Sequence, residues 1–281
     1  MRIAAGLTCC LASSRAAVLA EEPTTPQFSL AEQYRAAAGK IVAAALAEND
    51  AHRKLEDLCL TIGHRLSGSP ELEKAIDWAI AELKKDGADV ARREKVMVPH
   101  WVRGAESATL MEPRRETLHI LGLGGSVGTP TEGITAPVLV VGDDQELEKR
   151  AGEAEGKIVL FNKALPPHSP EEGSGYRSAV KYRVHGARLA AEKGALACLV
   201  RSVTARSLRS PHTGGMSYGE SPRKIPAAAI SIEDADLLAR LQERGSRPVV
   251  QLKMEARTLP DAESANVIGE LRGAACPTRS W

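Results

Sequence analysis

The chain has 281 residues, 43% of them apolar and only 3% aromatic, so one large core or two modest ones must be filled by Ala, Val, Leu and Ile. Its 37 Lys plus Arg balance 36 Asp plus Glu, which excludes the clustered positive charge of a nucleic-acid surface or a polybasic membrane surface. No apolar run approaches the roughly 20 residues of a spanning helix.

The first residues read as a signal peptide over 1–20. Arg2 is followed by an apolar or small stretch from Ile3 to Ser14, Arg15 interrupts it, and Val18 and Ala20 suit cleavage before Glu21 and Glu22. Residues 21–28 read as a linker. Helices are predicted from Ser29 to about Ala47 and from Ala51 to Ile62, stopped by Gly63. GHRLSGS at 63–69 is a loop, and Ser69 with Pro70 opens a third helix as N-cap and first helical residue. That helix carries Leu72, Ile76, Ala79, Ile80 and Leu83 on one face and ends at Asp86-Gly87.

The period then changes to that of strands at 90–99, 107–113 and 116–124. A Gly/Thr/Pro connector over 122–133 reads as a domain boundary. Beyond it, strands at 136–142, 156–163, 195–203, 226–232 and 248–256 alternate with helices at 144–151, 176–193 and 233–244, a compact mixed α/β unit. The helix at 176–193 places Tyr176, Val180, Val184, Ala187 and Ala191 on one face. A long polar loop covers 204–224, and SANVIGELRG at 264–273 is one more strand.

Five cysteines carry no metal-ligand spacing. Cys9 and Cys10 fall in the signal segment, while Cys59 and Cys198 lie in apolar stretches and read as buried free thiols. The seven histidines, His52, His64, His100, His119, His168, His185 and His212, form no HExxH and none is followed two residues later by Asp. Glu171-Glu172 sits in a Pro/Gly/Ser loop and reads as a solvated acidic turn. In Asp143-Asp144, N-capping of the next helix by Asp144 is the better account than a cation site. GLGGSVG at 122–128 lacks the Gly-Lys-Ser/Thr ending of a phosphate loop, and no G-x-S-x-G elbow occurs.

Long blocks of this sequence resemble zinc exopeptidases of the carboxypeptidase Q type, in order and over roughly residues 30 to 273. They include GHRLSGSPELEKAIDWAIAELKKDG, VPHWVRGAESATLMEPR, GKIVLFNK, YRSAVKYRVHGARLAAEKGALACLVRSV, SPHTG and SANVIGELRG. The resemblance implies an α/β fold: an incomplete zinc-exopeptidase α/β domain with an inserted mixed α/β protease-associated (PA) domain. Residues 29–128 would be the first part of the peptidase domain, 134–257 the PA domain, 264–273 a strand re-entering the peptidase domain, and 274–281 an aberrant tail.

In that family the zinc ligands lie downstream of the last strand. The resemblance therefore implies no catalytic and no metal-ligating residue here, zinc only in full-length relatives, and no hydrolysis by this chain alone. A frameshift, early stop or mis-assigned gene end is the expectation for the tail, checked by reading the genomic DNA past Gly273 in all frames. Relatives would act on a peptide or dipeptide, as carboxypeptidase or aminopeptidase, in a secreted or extracytoplasmic setting, and a homodimer stays open.

Four cleft-adjacent residues are named. Arg65 and Ser67 lie on the GHRLSGS loop, where Arg65 either pairs with a substrate carboxylate or ties the loop to its neighbour. His212 and Thr213 lie in SPHTGG, which either faces the cleft or is a turn set by Pro211 and Gly214. Two other readings stand beside the peptidase one: a stand-alone PA-domain interaction module, and a functionless product with a protease-resistant core near 134–257.

Overall fold

A computed structural model describes residues 29–47, 50–171, 173–206 and 208–273. The expected signal peptide, linker and tail, and Cys276, lie outside the described residues, as does Glu172.

The first of two units contains α1 (Leu30–Ala47) and α2 (Asp50–Asp57). Ser29 opens α1 by accepting from the Glu32 N–H (3.3 Å), while Glu32 accepts in return from the Ser29 N–H (3.1 Å), the reciprocal pairing of a capping box. In α2, Asp50 holds Arg53 at 2.7 Å and Lys54 at 2.7 Å.

The second unit starts with a π-helical turn, Leu58–Ile62, that leaves Cys59 exposed, not buried as its sequence suggested. Helix α3 (Pro70–Lys85) begins as expected: the Ser69 hydroxyl accepts from the Leu72 N–H at 3.2 Å, with Pro70 at the first position. It lies on a two-stranded antiparallel ribbon of β1 (Val90–Val102) and β10 (Arg257–Glu270), paired from Val90–Glu270 to Val102–Arg257. Pro99, which has no N–H to give, coincides with the register shift between Val98 and His100. Arg93 reaches up from the ribbon to Glu73 and Asp77 of α3, each at 2.9 Å, and Ser264 donates to Glu73 at 2.8 Å.

The remaining strands are β2 (Glu106–Glu112), β3 (Glu116–Leu118), β4 (Ile120–Gly122), β5 (Ile134–Val141), β6 (Ile158–Phe161), β7 (Ala197–Arg201), β8 (Ala227–Ile230) and β9 (Val249–Met254). They form one eight-stranded sheet in the order β3-β2-β9-β5-β6-β7-β8-β4, with β5 to β8 parallel. The sheet draws β2, β3 and β4 from before the 122–133 connector, so that connector, expected as a boundary, does not divide the strands. A single residue, His119, joins β3 and β4 at opposite ends of the strand order, which requires the sheet to curl until its edges adjoin.

Helices α4 (Asp144–Lys149), α5 (Ala151–Ala154), α6 (Tyr176–Ala191) and α7 (Ile232–Glu243) accompany this sheet. Strand alternation fills a core on each face. Val159, Phe161, Cys198 and Val200 pack with α4, α5 and α6, while Ile158, Leu160, Ala197 and Leu199 pack with α7. Phe161 stacks on Tyr182 of α6, ring centroids 4.9 Å apart. The buried stripe of α6 is Ala179, Tyr182, Gly186, Ala187, Ala190 and Ala191, rotated from the expected face. Small residues let this helix approach the sheet closely, and Tyr176 is left exposed. Burial raises the Cys198 thiol well above its ordinary range.

Candidate functional site

Four segments meet where the ribbon joins the sheet: the loop 63–69, the end of β1, the connector 122–128 and the loop 202–216. Gly68 lies against the His100 ring so closely that a Cβ there would sit 2.8 Å from Cγ. Next along β1, the Trp101 Nε1–H donates to the Ser126 carbonyl at 2.8 Å. Ser126 is itself buried, its hydroxyl accepting from the Ala227 N–H of β8 at 2.8 Å and donating to the Val127 carbonyl at 2.9 Å. The ribbon is thus tied into the sheet core by side-chain bonds as well as by the chain itself.

Arg103 completes the junction. Its Nη2 donates to the Gly122 carbonyl at 3.1 Å, its guanidinium lies over Trp101 at 5.2 Å, and its Nε is 3.9 Å from Glu106. The Gly122 N–H donates to Glu106 at 2.9 Å. Burial raises the Glu106 carboxyl above its ordinary range, and the Gly122 N–H and the Arg103 charge oppose that shift. Glu106 also lines a cavity of about 430 Å³ with Thr129, Lys253 and Glu255.

Thr213 donates to the same Gly122 carbonyl at 2.8 Å, so it shares an acceptor with Arg103. The Gly124 N–H donates to Gly214 and the Met216 N–H to Gly124, both at 2.9 Å, which fastens the SPHTGG loop to the connector. The His212 N–H donates to the Ser202 hydroxyl at 2.8 Å, and its Nδ1 lies 2.7 Å from the Val203 carbonyl. A carbonyl only accepts, so Nδ1 is the donor of this bond. Arg65 donates to the Gly63 carbonyl at 2.5 Å, which ties its own loop, and Ser67 is exposed. No hydrogen bond or ion pair joins Arg65 or Ser67 to His212 or Thr213 among the described residues. The two loops meet the same end of β1 at different residues, one against His100 and the other sharing an acceptor with Arg103.

Other polar groups went unnoticed in the sequence because their partners are far along the chain. Asp234, fully buried in the first turn of α7, accepts from the His119 N–H at 2.7 Å and lies 3.0 Å from His119 Nδ1. This bond takes the backbone donor of His119 and breaks the expected strand 116–124 into β3 and β4. Arg209, at φ 55°, brings its Nε to 3.9 Å from the other Asp234 oxygen. Arg201, at the carboxyl end of β7, donates to Asn162 at 2.8 Å and pairs with Asp236. The α4 cap is also corrected. Asp143, not Asp144, accepts from the Glu146 N–H at 2.9 Å. Asp144 instead takes Lys181 Nζ and the Tyr182 hydroxyl, each at 2.8 Å, which together hold its carboxyl below the ordinary range.

Among the described residues no three His, Cys, Asp or Glu side chains gather as a metal set. The bonds of His119 and His212 engage Nδ1 alone, which by itself suits a metal ligand, but among the described residues no further donors gather beside either ring to complete a zinc set. No helix among the described residues is long and apolar enough to cross a membrane.

No family model matches the chain. Among solved structures it resembles a peptidase M28 precursor from Shewanella amazonensis, with TM-score 0.79 and 34% identity, over 86% of this chain and 55% of that one. A zinc aminopeptidase from Bacillus subtilis shares the fold at TM-score 0.52 and 21% identity, over 80% of this chain and 47% of that one. The fold is therefore that of a peptidase M28 protein. In sequence, carboxypeptidase Q from Bos taurus is 48% identical over 231 residues, and that from Homo sapiens 47% over 231, each match covering 82% of this chain and 47% of the relative. Over those residues the chain is a homologue of carboxypeptidase Q. It spans about half the length of the curated relatives it matches.

Proposed function

We propose that this chain is the portion of a secreted or extracytoplasmic zinc exopeptidase that frames substrate access, and that these 281 residues alone hydrolyse no peptide. The observation that carries the reading is the 48% identity over 82% of the chain, which reaches only 47% of the relative's length. The sheet from Glu106 to Met254 is then the inserted PA domain. It starts earlier than position 134, because β2, β3 and β4 belong to its sheet. The ribbon and α3 belong to the peptidase part.

Zinc in the whole enzyme would act as a Lewis acid and activate water for attack on a terminal peptide bond. The residues present here do not fit that ion, so none is assigned a hydrolytic step. Their role in this reading is positional: Trp101 and Arg103 fix the PA sheet against the ribbon, and Thr213 fixes the SPHTGG loop at that junction.

The test is elemental analysis of the purified chain after mild dialysis, with a dipeptidase assay alongside. The expected result is below about a tenth of an equivalent of zinc and no hydrolysis. One tightly held equivalent, or zinc-dependent hydrolysis, overturns it. N-terminal sequencing of exported protein checks the location, with Glu21 expected as the first residue.

A further inference from the structure

Three buried side-chain polar atoms among the described residues have no hydrogen-bond partner: Arg103 Nε, Arg183 Nε and Asp234 Oδ1. Two of them face an opposite charge. Arg103 Nε is 3.9 Å from Glu106, and Asp234 Oδ1 is 3.9 Å from Arg209. Arg183 differs, because among the described residues no carboxylate lies within ion-pair distance of its guanidinium. Its one hydrogen bond runs from Nη2 to the Tyr176 hydroxyl at 2.7 Å. A half-buried cation with a buried donor and no counter-charge is costly to hold.

The surroundings hold this guanidinium in place. It lies over the Tyr176 ring at 5.7 Å. Gly214 also lies against it: a Cβ there would stand 2.8 Å from both Cζ and Nε, so any larger residue would displace the group from this position. The start of α6 supplies no negative charge, since its first turn has no acidic residue and Gly175 caps it without a side chain. The adjoining loop is fixed by Thr213 and His212, and around Gly215 there is open space for at least a side-chain atom. A planar, permanently charged fork with unused donors suits a carboxylate better than any neutral ligand.

We propose that Arg183 anchors a binding site for a carboxylate group of a peptide beside the SPHTGG loop, with Tyr176 and Gly214 as the positioning residues that fix its guanidinium. The choice of a peptide as the carrier rests on the exopeptidase reading above. The site itself rests on the uncompensated charge.

The experiment is a calorimetric titration of the full 281-residue chain, without added metal. Its probes are N-acetyl-dialanine, the same peptide as its C-terminal amide, and N-acetyl-aspartyl-alanine amide. The acid is expected to bind at least about tenfold more tightly than the alanine amide, a difference of about 1.4 kcal/mol. Arg183→Met should bring the acid down to the level of the amide, while Tyr176→Phe, which keeps the charge, should retain binding. If the aspartyl amide matches the acid, the site takes a side-chain carboxylate as well as a C-terminal one. If it binds like the alanine amide, the carboxylate is one of a C-terminus. Both results support the site.

Equal binding of acid and amide, unchanged binding by Arg183→Met, or no binding at all overturns it. Tight inorganic phosphate with no peptide binding also overturns it, because the ligand is then a free oxyanion. Should Arg183→Met fail to fold, the Arg183 Nε–H resonance in the wild-type chain serves instead, assigned by its loss in Arg183→Lys. It should shift on addition of the acid and not the amide, and an unmoved resonance overturns the site. Zinc content and hydrolysis do not enter this readout, so a failure of the peptidase reading and a failure of the carboxylate site are separable.

Discussion

The curled sheet and the β1–β10 ribbon are both β-structure, yet they hold together by different means. Every residue of β6 and β8 is buried. In β1 none is, and in β10 only Ser264. The sheet has helices on both faces and its edge strands brought side by side. The ribbon has α3 on one face, charged ties from Arg93, and two outer edges that pair with nothing among the described residues. A two-stranded ribbon is marginal by itself, so the difference shows where stability is intrinsic and where it depends on neighbours.

The sharpest way to break this contrast is Phe161→Ala. It removes a fully buried ring stacked on Tyr182, and we expect a loss of about 3–5 kcal/mol in denaturant unfolding of the sheet. A loss below about 1 kcal/mol would mean that the core is not the source of its stability. Hydrogen exchange compares the regions directly. Amides of β6, β7 and β8 should exchange at least about a hundredfold more slowly than those of β1 and β10, and equal protection would remove the distinction. Limited proteolysis should likewise leave a core near 106–256.

A smaller effect is expected from Ser69→Ala, which deletes the cap of α3. It should cost about 1 kcal/mol, seen as faster exchange in α3 and the ribbon with the sheet amides unchanged. A global loss would mean that the two regions unfold together.

The smallest effects are pH-dependent and opposite in sign. The Asp144 carboxyl is held low by Lys181 and Tyr182, so its contribution is present above its ordinary pKa and lost as pH falls through the folded value. Because Asp144 is 42% exposed, solvent screening keeps the effect slight. Burial raises the Glu106 carboxyl, so stability declines as pH rises through its folded value. In melting curves between about pH 3 and 7, Asp144→Asn should flatten the acid side and Glu106→Gln the neutral side. Glu106→Gln keeps an acceptor for the Gly122 N–H, so a drop in melting temperature at neutral pH would contradict the assigned cause.

Much of the sheet was legible in the sequence because its signals are local. Ser69-Pro70 opened α3 where expected, and the apolar runs around β5, β6, β7 and β8 marked buried strands. Features set by distant partners were not legible. His119 breaks a strand only because Asp234, 115 residues later, takes its N–H. The length of β10 was hidden by Pro260 and by the polar residues of a half-exposed ribbon. For the site, His212 and Thr213 were named as cleft-adjacent, and the structure shows only that both are hydrogen-bonded within their loop and to its neighbours, while Arg183 reads as an ordinary helix-surface cation until Gly214 is placed against it. That no carboxylate among the described residues pairs with it has no signature in spacing.

The chain enters the sheet at Ala105 and leaves it at Glu255, and these residues are bonded to each other. The Glu255 N–H donates to the Ala105 carbonyl at 3.0 Å, and the Ala105 N–H to the Glu255 carboxylate at 3.1 Å. The two ends of the sheet-forming segment are thus clasped side by side. Seen from the ribbon, the whole segment between Ala105 and Glu255 occupies the place of a long turn between two neighbouring strands, with Trp101 and Arg103 as the ties that any transplant would have to carry along.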